Sequence, residues 1–217
     1  MPTANDIVPA PPEWHPHDDP NYDSILSTAC ALEWDRLRTG TSCDRLAFIV
    51  DPRDVHKKLY TPLAPPSYKE YAGTFRGTPG TSLVAREVNA IRISDGKPKP
   101  FCLASKVEAV AIKYRGCANM LFNNATAESP RTFFRKVIQI FYVFGLMHPF
   151  LDGNGHIQRL IFAACIFERH DLELLPSWTI HPRPYDEEVA LAFEQSNAKA
   201  IFEKLSALLS VHVRGAS

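Results

Sequence analysis

The segment His148-Pro149-Phe150-Leu151-Asp152-Gly153-Asn154-Gly155-His156-Ile157-Gln158-Arg159 stands between two apolar stretches of the chain, and its reading decides the fold. Pro149 lacks the backbone N–H that a helix needs, so the preceding run has to stop there. That run opens at Ser129-Pro130, an N-cap residue followed by the proline favoured at the first helical position. Phe133, Phe134, Val137, Ile140, Phe141 and Phe144 recur in it at helical spacing to about Met147. A second helix is expected from near Gly155 to about Arg169, carrying Ile157, Leu160, Ile161, Ala164 and Cys165. Two buried helices joined by a short polar loop predict a mainly helical domain.

The loop carries chemistry as well as a turn. Gly153-Asn154-Gly155 is a flexible backbone run at a helix start, where free N–H groups and the helix dipole favour an anion. Arg159 sits one turn further on and adds a fixed positive charge. Asp152 offers oxygen to a hard cation such as Mg²⁺, which takes one or two carboxylates plus phosphates. His148 is a base that titrates near working pH. Singly, each piece has a plain structural reading, as a helix cap, a turn Asp or a tight turn. Together within twelve residues they describe a phosphoryl or nucleotidyl transfer site. One rival reading takes His148, Asp152 and His156, spaced four apart, as ligands of a metal hydrolase, but Pro149 and the glycine run argue against the continuous helix that requires. Another takes the site as a non-catalytic nucleotide- or protein-binding module.

The segment resembles the signature of the Fic family, His-Pro-Phe-x-Asp/Glu-Gly-Asn-Gly-Arg-x-x-Arg. Eight of its nine fixed positions match, the exception being His156 where relatives carry Arg. The resemblance extends over about residues 67–213 and implies a Fic-like helical bundle with a small β-hairpin flap. It also implies transfer of AMP, or another nucleotide monophosphate, from a Mg-nucleotide such as ATP to a Ser, Thr or Tyr hydroxyl of a target protein. On that pattern His148 takes the hydroxyl proton and Asp152 holds Mg²⁺. Gly153, Asn154, Gly155, His156 and Arg159 bind phosphate. Phe150 pins the loop into the core. The piece containing Ile91, Arg92, Ile93, Phe101 and Leu103 is the flap that takes the target backbone by strand addition. Imidazole at 156 offers fewer donors than guanidinium and is mostly neutral at pH 7, which predicts weaker phosphate binding or a different donor. Some relatives transfer UMP, GMP, phosphate or phosphocholine. Many carry an inhibitory Ser/Thr-x-x-x-Glu helix whose Glu pairs the last arginine. No such motif is present, so the chain is unrestrained or is restrained by a separate protein.

Outward from the loop, Asp23–Arg38 reads as a helix with Ile25, Leu26, Ala29, Leu32 and Leu37 on one face. Asp51-Pro52 marks a helix start, and Ser67 with Glu70 forms a capping box for a helix to Arg76. Glu87–Ser94 is extended, Asp95-Gly96 is a turn, and Phe101–Leu103 is the expected return strand, with Pro98 and Pro100 making it an edge. Ser105 and Glu108 form a second capping box for a long helix. Asp186 caps a last helix through Leu208. The division expected is a flexible Pro-rich arm at 1–21, an N-terminal helical extension at 22–66 and a Fic-like catalytic domain at 67–217. The first twenty residues hold six of the 18 prolines, and His15 and His17 read as a solvated tail.

Composition sets limits on the rest. At 217 residues the chain is long enough to bury a core without staples. With 24 Lys+Arg against 24 Asp+Glu it lacks the basic excess of a duplex nucleic-acid binder. Its five scattered cysteines suit a reduced, cytoplasmic protein, and delivery into a host cell is compatible with the same composition. No apolar stretch approaches the roughly 18 residues that a membrane span requires.

Overall fold

The structure, a computed structural model, describes residues 11–215. Eight α-helices follow in order among them: α1 (Tyr22–Thr39), α2 (Ser42–Val50), α3 (Arg53–Tyr60), α4 (Val107–Asn123), α5 (Pro130–Met147), α6 (Asn154–Ile166), α7 (Asp186–Phe193) and α8 (Ala198–Ser210). Two short antiparallel pairs complete it, β1 (Asn89–Ile91) with β2 (Pro98–Pro100), and β3 (Glu173–Leu174) with β4 (Val213–Arg214). The expected mainly helical bundle with a small hairpin is what is seen. The second pair was not anticipated, because two-residue strands leave no periodic signal.

Helix α6 lies at the centre. From His156 to Ile166 every residue is buried, the polar His156, Gln158 and Arg159 as well as the apolar run that follows them. It packs against α5, α1 and α2, while α4 and α8 cover the other faces of α5. Helix α5 starts as the sequence predicts, with the Ser129 side chain accepting from the Thr132 N–H and Pro130 at its first position. It ends at His148, which takes the left-handed conformation at φ 45°.

Several local expectations fail for identifiable reasons. The Ser67/Glu70 capping box starts no α-helix. Only a 3₁₀ turn at Lys69–Tyr71 forms, and Glu70 instead accepts from the Ser82 hydroxyl at 2.7 Å. Ser105 does not cap α4, which is entered through a 3₁₀ turn at Ala104–Lys106. The helix begun at Asp186 breaks after Phe193 and restarts at Ala198, where the Asn197 side chain caps it. Leu32 faces outward, and Cys30 and Glu33 are buried instead. The return strand falls at Pro98–Pro100 rather than Phe101–Leu103. Backbone bonds at Arg92–Lys97 and Phe101–Val88 fix which residues face across the pair. Pro98 and Pro100 therefore occupy alternate positions turned away from β1, where a missing N–H costs nothing.

The arm is the largest correction. Part of it, residues 1–10, lies outside the described residues. From Pro11 onward it is packed. Trp14 is buried, and its Nε1–H donates to the Leu63 carbonyl at 3.0 Å. The Tyr71 hydroxyl and Arg86 donate to the carbonyls of Pro11 and Pro12. Proline removes backbone donors but leaves acceptors, so a Pro-rich stretch can still be held by its carbonyls. One hydrophobic cluster runs from Trp14 to Val213, so no packing boundary falls at 66/67. Trp14→Ala is expected to lower unfolding stability by about 3–5 kcal/mol in urea titrations, the usual cost for a core tryptophan, whereas a solvated arm would give a change near zero.

Candidate active site

The loop from His148 to Gly153 contains two left-handed residues, His148 and Gly153, at φ 45° and 77°. The non-glycine one costs about 1–3 kcal/mol and persists only when its surroundings hold it. Arg76 does that. Its buried guanidinium donates from Nε and Nη2 to the His148 carbonyl at 3.1 and 2.8 Å, and from Nη1 and Nη2 to the carbonyls of Arg86 and Cys102. The base of the flap and the end of α5 are thereby tied to one cation.

A second clamp holds the other end. His56 of α3 is fully buried, stacked between Phe150 at 3.8 Å and Tyr60 at 4.7 Å. Its Nδ1 accepts the Gly73 N–H, so in the neutral ring Nε2 carries the proton and donates to the Asp152 carbonyl at 2.9 Å. A Cβ at Gly153 would lie 2.3 Å from Tyr60 Cε2, which adds a spatial demand for glycine to the conformational one. The Asn154 amide bonds both the N–H and the carbonyl of Phe150 at 2.9 Å. Phe150 is fully buried, as expected of the residue that pins the loop.

With the loop fixed, its chemical groups fall on two sides. His148 lines a mainly apolar cleft of about 450 Å³ with Phe101, Gly155, Arg183 and Asp186. Its ring stacks on Phe101 at 3.6 Å. Burial foremost, then the Arg76 charge, pull its pKa well below the usual histidine value, with Arg183 adding to the effect. The imidazole is therefore neutral, with a lone pair available, while the same burial and charge weaken it as a base. No side chain caps the start of α6, whose first N–H groups have no intrahelical partner. Asp152 faces the N-terminal segment, with Oδ2 3.6 Å from His17 Nε2. Burial raises its pKa, and His17, the Gly153 N–H and Arg183 offset this only in part. A desolvated carboxylate with incomplete compensation, offering oxygen donors, fits a hard divalent cation. His17, half exposed, thus lies beside Asp152 rather than in a free tail.

The phosphate-binding residues named from the sequence divide. Gly155 lines the cleft. Arg159 is buried against Trp178, and its Nη2 donates to Asp186 Oδ1 at 3.0 Å. Asp186 also takes Arg183 Nε at 3.0 Å, so one carboxylate serves two guanidinium groups. His156 is turned away. It is fully buried, with Nδ1 on the Tyr60 hydroxyl at 2.8 Å and Nε2 on His181 Nδ1 at 3.1 Å. His181 Nε2 lies 3.2 Å from Asp23. A neutral pair of rings satisfies the two hydrogen bonds: Tyr60 donates to His156 and His156 to His181, whose Nε2 is left facing Asp23. The metal-hydrolase trio therefore does not converge, and among the described residues no three His, Cys, Asp or Glu side chains come together to hold a metal. Of the flap residues, Ile91, Arg92 and Phe101 line the cleft, while Ile93 and Leu103 lie outside its lining.

The Fic/DOC family profile matches residues 53–166, from the start of α3 to the end of α6. That is more than half of the chain. The chain belongs to the Fic/DOC family. A solved structure, the N-terminal Fic domain of a cell filamentation protein and VirB-translocated Bep effector from Bartonella quintana, superposes with a TM-score of 0.55 at 18% identity. The superposition covers 88% of this chain and 83% of that one, and it supports the Fic fold. No curated protein matched in the corresponding search. Family membership supports group transfer in general. Among the described residues no helix is long and apolar enough to cross a membrane.

Sequence reasoning missed Arg76, His56, Tyr60, Arg183 and Asp186 as members of this Fic site. Each reaches it from a distant element, and a run such as His181-Pro182-Arg183-Pro184 signals only a loop. The two fully buried histidines give a test. Desolvation lowers His56 to about 3 and His156 to about 2. Unfolded histidine titrates near 6.5. Below that value the unfolded chain binds protons that the folded chain refuses, so stability is full above about pH 6.5 and falls with acid. Each histidine contributes a slope of about 1.4 kcal/mol per pH unit. Urea unfolding between pH 7.5 and 5.5 is expected to show this loss. His156→Arg, which buries a charge, is expected to destabilise the fold without raising activity.

Proposed function

We propose that this Fic protein is a protein nucleotidyltransferase, moving AMP or another nucleotide monophosphate from a Mg-nucleotide such as ATP to a Ser, Thr or Tyr hydroxyl of a target protein. The observation that carries the reading is a neutral His148 in a cleft shared with an uncapped helix start and Arg183. The His148 imidazole accepts the target's hydroxyl proton as that oxygen bonds to the α-phosphorus. The bond from the α-phosphorus to the bridging oxygen breaks, and pyrophosphate leaves with the electron pair. Charge that develops on the phosphoryl oxygens is met by the α6 backbone N–H groups. Asp152, on the side of the loop that faces the N-terminal segment, is the residue that would hold Mg²⁺, and the ion would supply charge neutralisation for the phosphates.

The flap suits a target backbone. In β1 the N–H and C=O of Asn89 and Ile91 face away from β2, since Ala90 pairs with Lys99. That edge offers both donors and acceptors, whereas the outer edge of β2 lacks donors at Pro98 and Pro100. At the end of the β1 edge, Glu194 accepts from the N–H groups of Ile93 and Ser94, next to the cleft it helps to line. A strand added to β1 would therefore run beside His148.

Incubation with Mg²⁺, each labelled nucleotide and a lysate tests the reading. His148→Ala is expected to lower labelling by about 10²–10⁴-fold with the fold intact, and Asp152→Ala to lose the Mg²⁺ dependence along with activity. Because its pKa is held low, His148 is expected to give no loss of rate between pH 8 and 6 in the range where the protein stays folded. Undiminished labelling by His148→Ala would sink the assignment.

A further inference from the structure

Position 156, which carries arginine in the signature, contributes no charge to the cleft. Its imidazole is buried, neutral and bonded at both nitrogens to Tyr60 and His181. A guanidinium nevertheless stands at the loop. Arg183 approaches Gly155 so closely that a Cβ there would lie 2.2 Å from Arg183 Nη1. It lines the same cleft as His148. Its charge acts on His148, Asp152, His156 and Arg159, residues that ring the loop. We propose that Arg183 is the phosphate-binding guanidinium of this site, delivered from the loop before α7 in place of the residue at 156.

Charge counting at the start of α6 supports an anion there. Arg159 and Arg183 share the single carboxylate of Asp186, while the loop's other acid, Asp152, also feels Arg183 but faces the N-terminal segment, so two guanidinium groups stand to one carboxylate on the cleft side. The uncapped N-terminus of α6 adds about half a charge of the same sign. Arg183 is engaged by Asp186 through Nε, which leaves the fork of Nη donors for another acceptor. Its side chain is about one-quarter exposed, so a ligand entering the cleft can reach it. The absent side chain of Gly155 lets guanidinium and backbone N–H groups meet the same anion. A polyphosphate is the ligand class this suits, because paired donors in a fork match phosphate oxygens. The inference deepens the nucleotidyltransferase reading and rests on it only for the identity of the polyphosphate as a nucleotide.

The test is calorimetric binding of inorganic tripolyphosphate, Mg-ATP and adenosine to the full chain and to its Arg183→Ala and Arg183→Lys variants. Thermal unfolding checks that both variants are folded. Arg183→Ala is expected to weaken tripolyphosphate and Mg-ATP about tenfold or more and to leave adenosine unchanged, with Arg183→Lys intermediate. Parent-like affinity of the alanine variant for tripolyphosphate would overturn the inference, as would equal weakening of adenosine. If the parent binds tripolyphosphate through Arg183 but not Mg-ATP, the phosphate site stands and the nucleotide reading falls. If it binds neither, both fall.

Discussion

The contact of Arg76 with the carbonyl of His148 is the one on which the site depends. His148 ends α5 in a left-handed conformation that a non-glycine residue adopts only under restraint. The buried guanidinium supplies that restraint and spreads its remaining donors over the flap base. Without it, the carbonyls of Arg86, Cys102, Met147 and His148 would lose a charged donor, and the ring of His148 would lose its fixed direction into the cleft. The same charge helps to keep His148 neutral. One cation thus sets both the geometry and the protonation of the proposed base.

Opposed demands on one short loop explain much of the surrounding structure. The proposed chemistry asks the loop to present backbone N–H groups and a carboxylate to charged ligands, yet the loop sits between two buried helices. Its polar backbone is satisfied from inside, by the Asn154 amide on Phe150 and by His56 on the Asp152 carbonyl. His56 has to be neutral to fit between Phe150 and Tyr60, and burial keeps it so. The loop backbone is thereby held from inside, which suits the preorganised donors that the proposed transfer chemistry calls for.

The replacement of arginine by histidine at 156 becomes intelligible in three dimensions. From the sequence it reads as a weakened phosphate site. In the fold it is one link in a buried chain from Tyr60 to His181 that ties α3, α6 and the loop before α7 together, with the exposed Asp23 of α1 at 3.2 Å from His181 Nε2. That chain also anchors His181, two residues before Arg183. Histidine at 156 thus makes a neutral internal contact that helps fix the segment carrying Arg183.

The chain by itself determined the helical class, the limits of α5 and the identity of the His148–Arg159 loop. Apolar spacing, a Ser-Pro start and a proline stop are local signals that need no partner to be read. It also carried the family, because eight of nine signature positions lie within twelve residues. Its other capping boxes misled, since Glu70 and Ser105 found different partners or none. Only the tertiary structure decided which groups meet in the cleft. Arg76, Arg183 and Asp186 reach the loop from up to 72 positions away, and His17 reaches Asp152 from the opposite end of the chain. Long-range contacts of this kind are set by how helices pack. Packing fixed the direction of His156 as well, through a tyrosine 96 residues earlier that no local pattern connects to it.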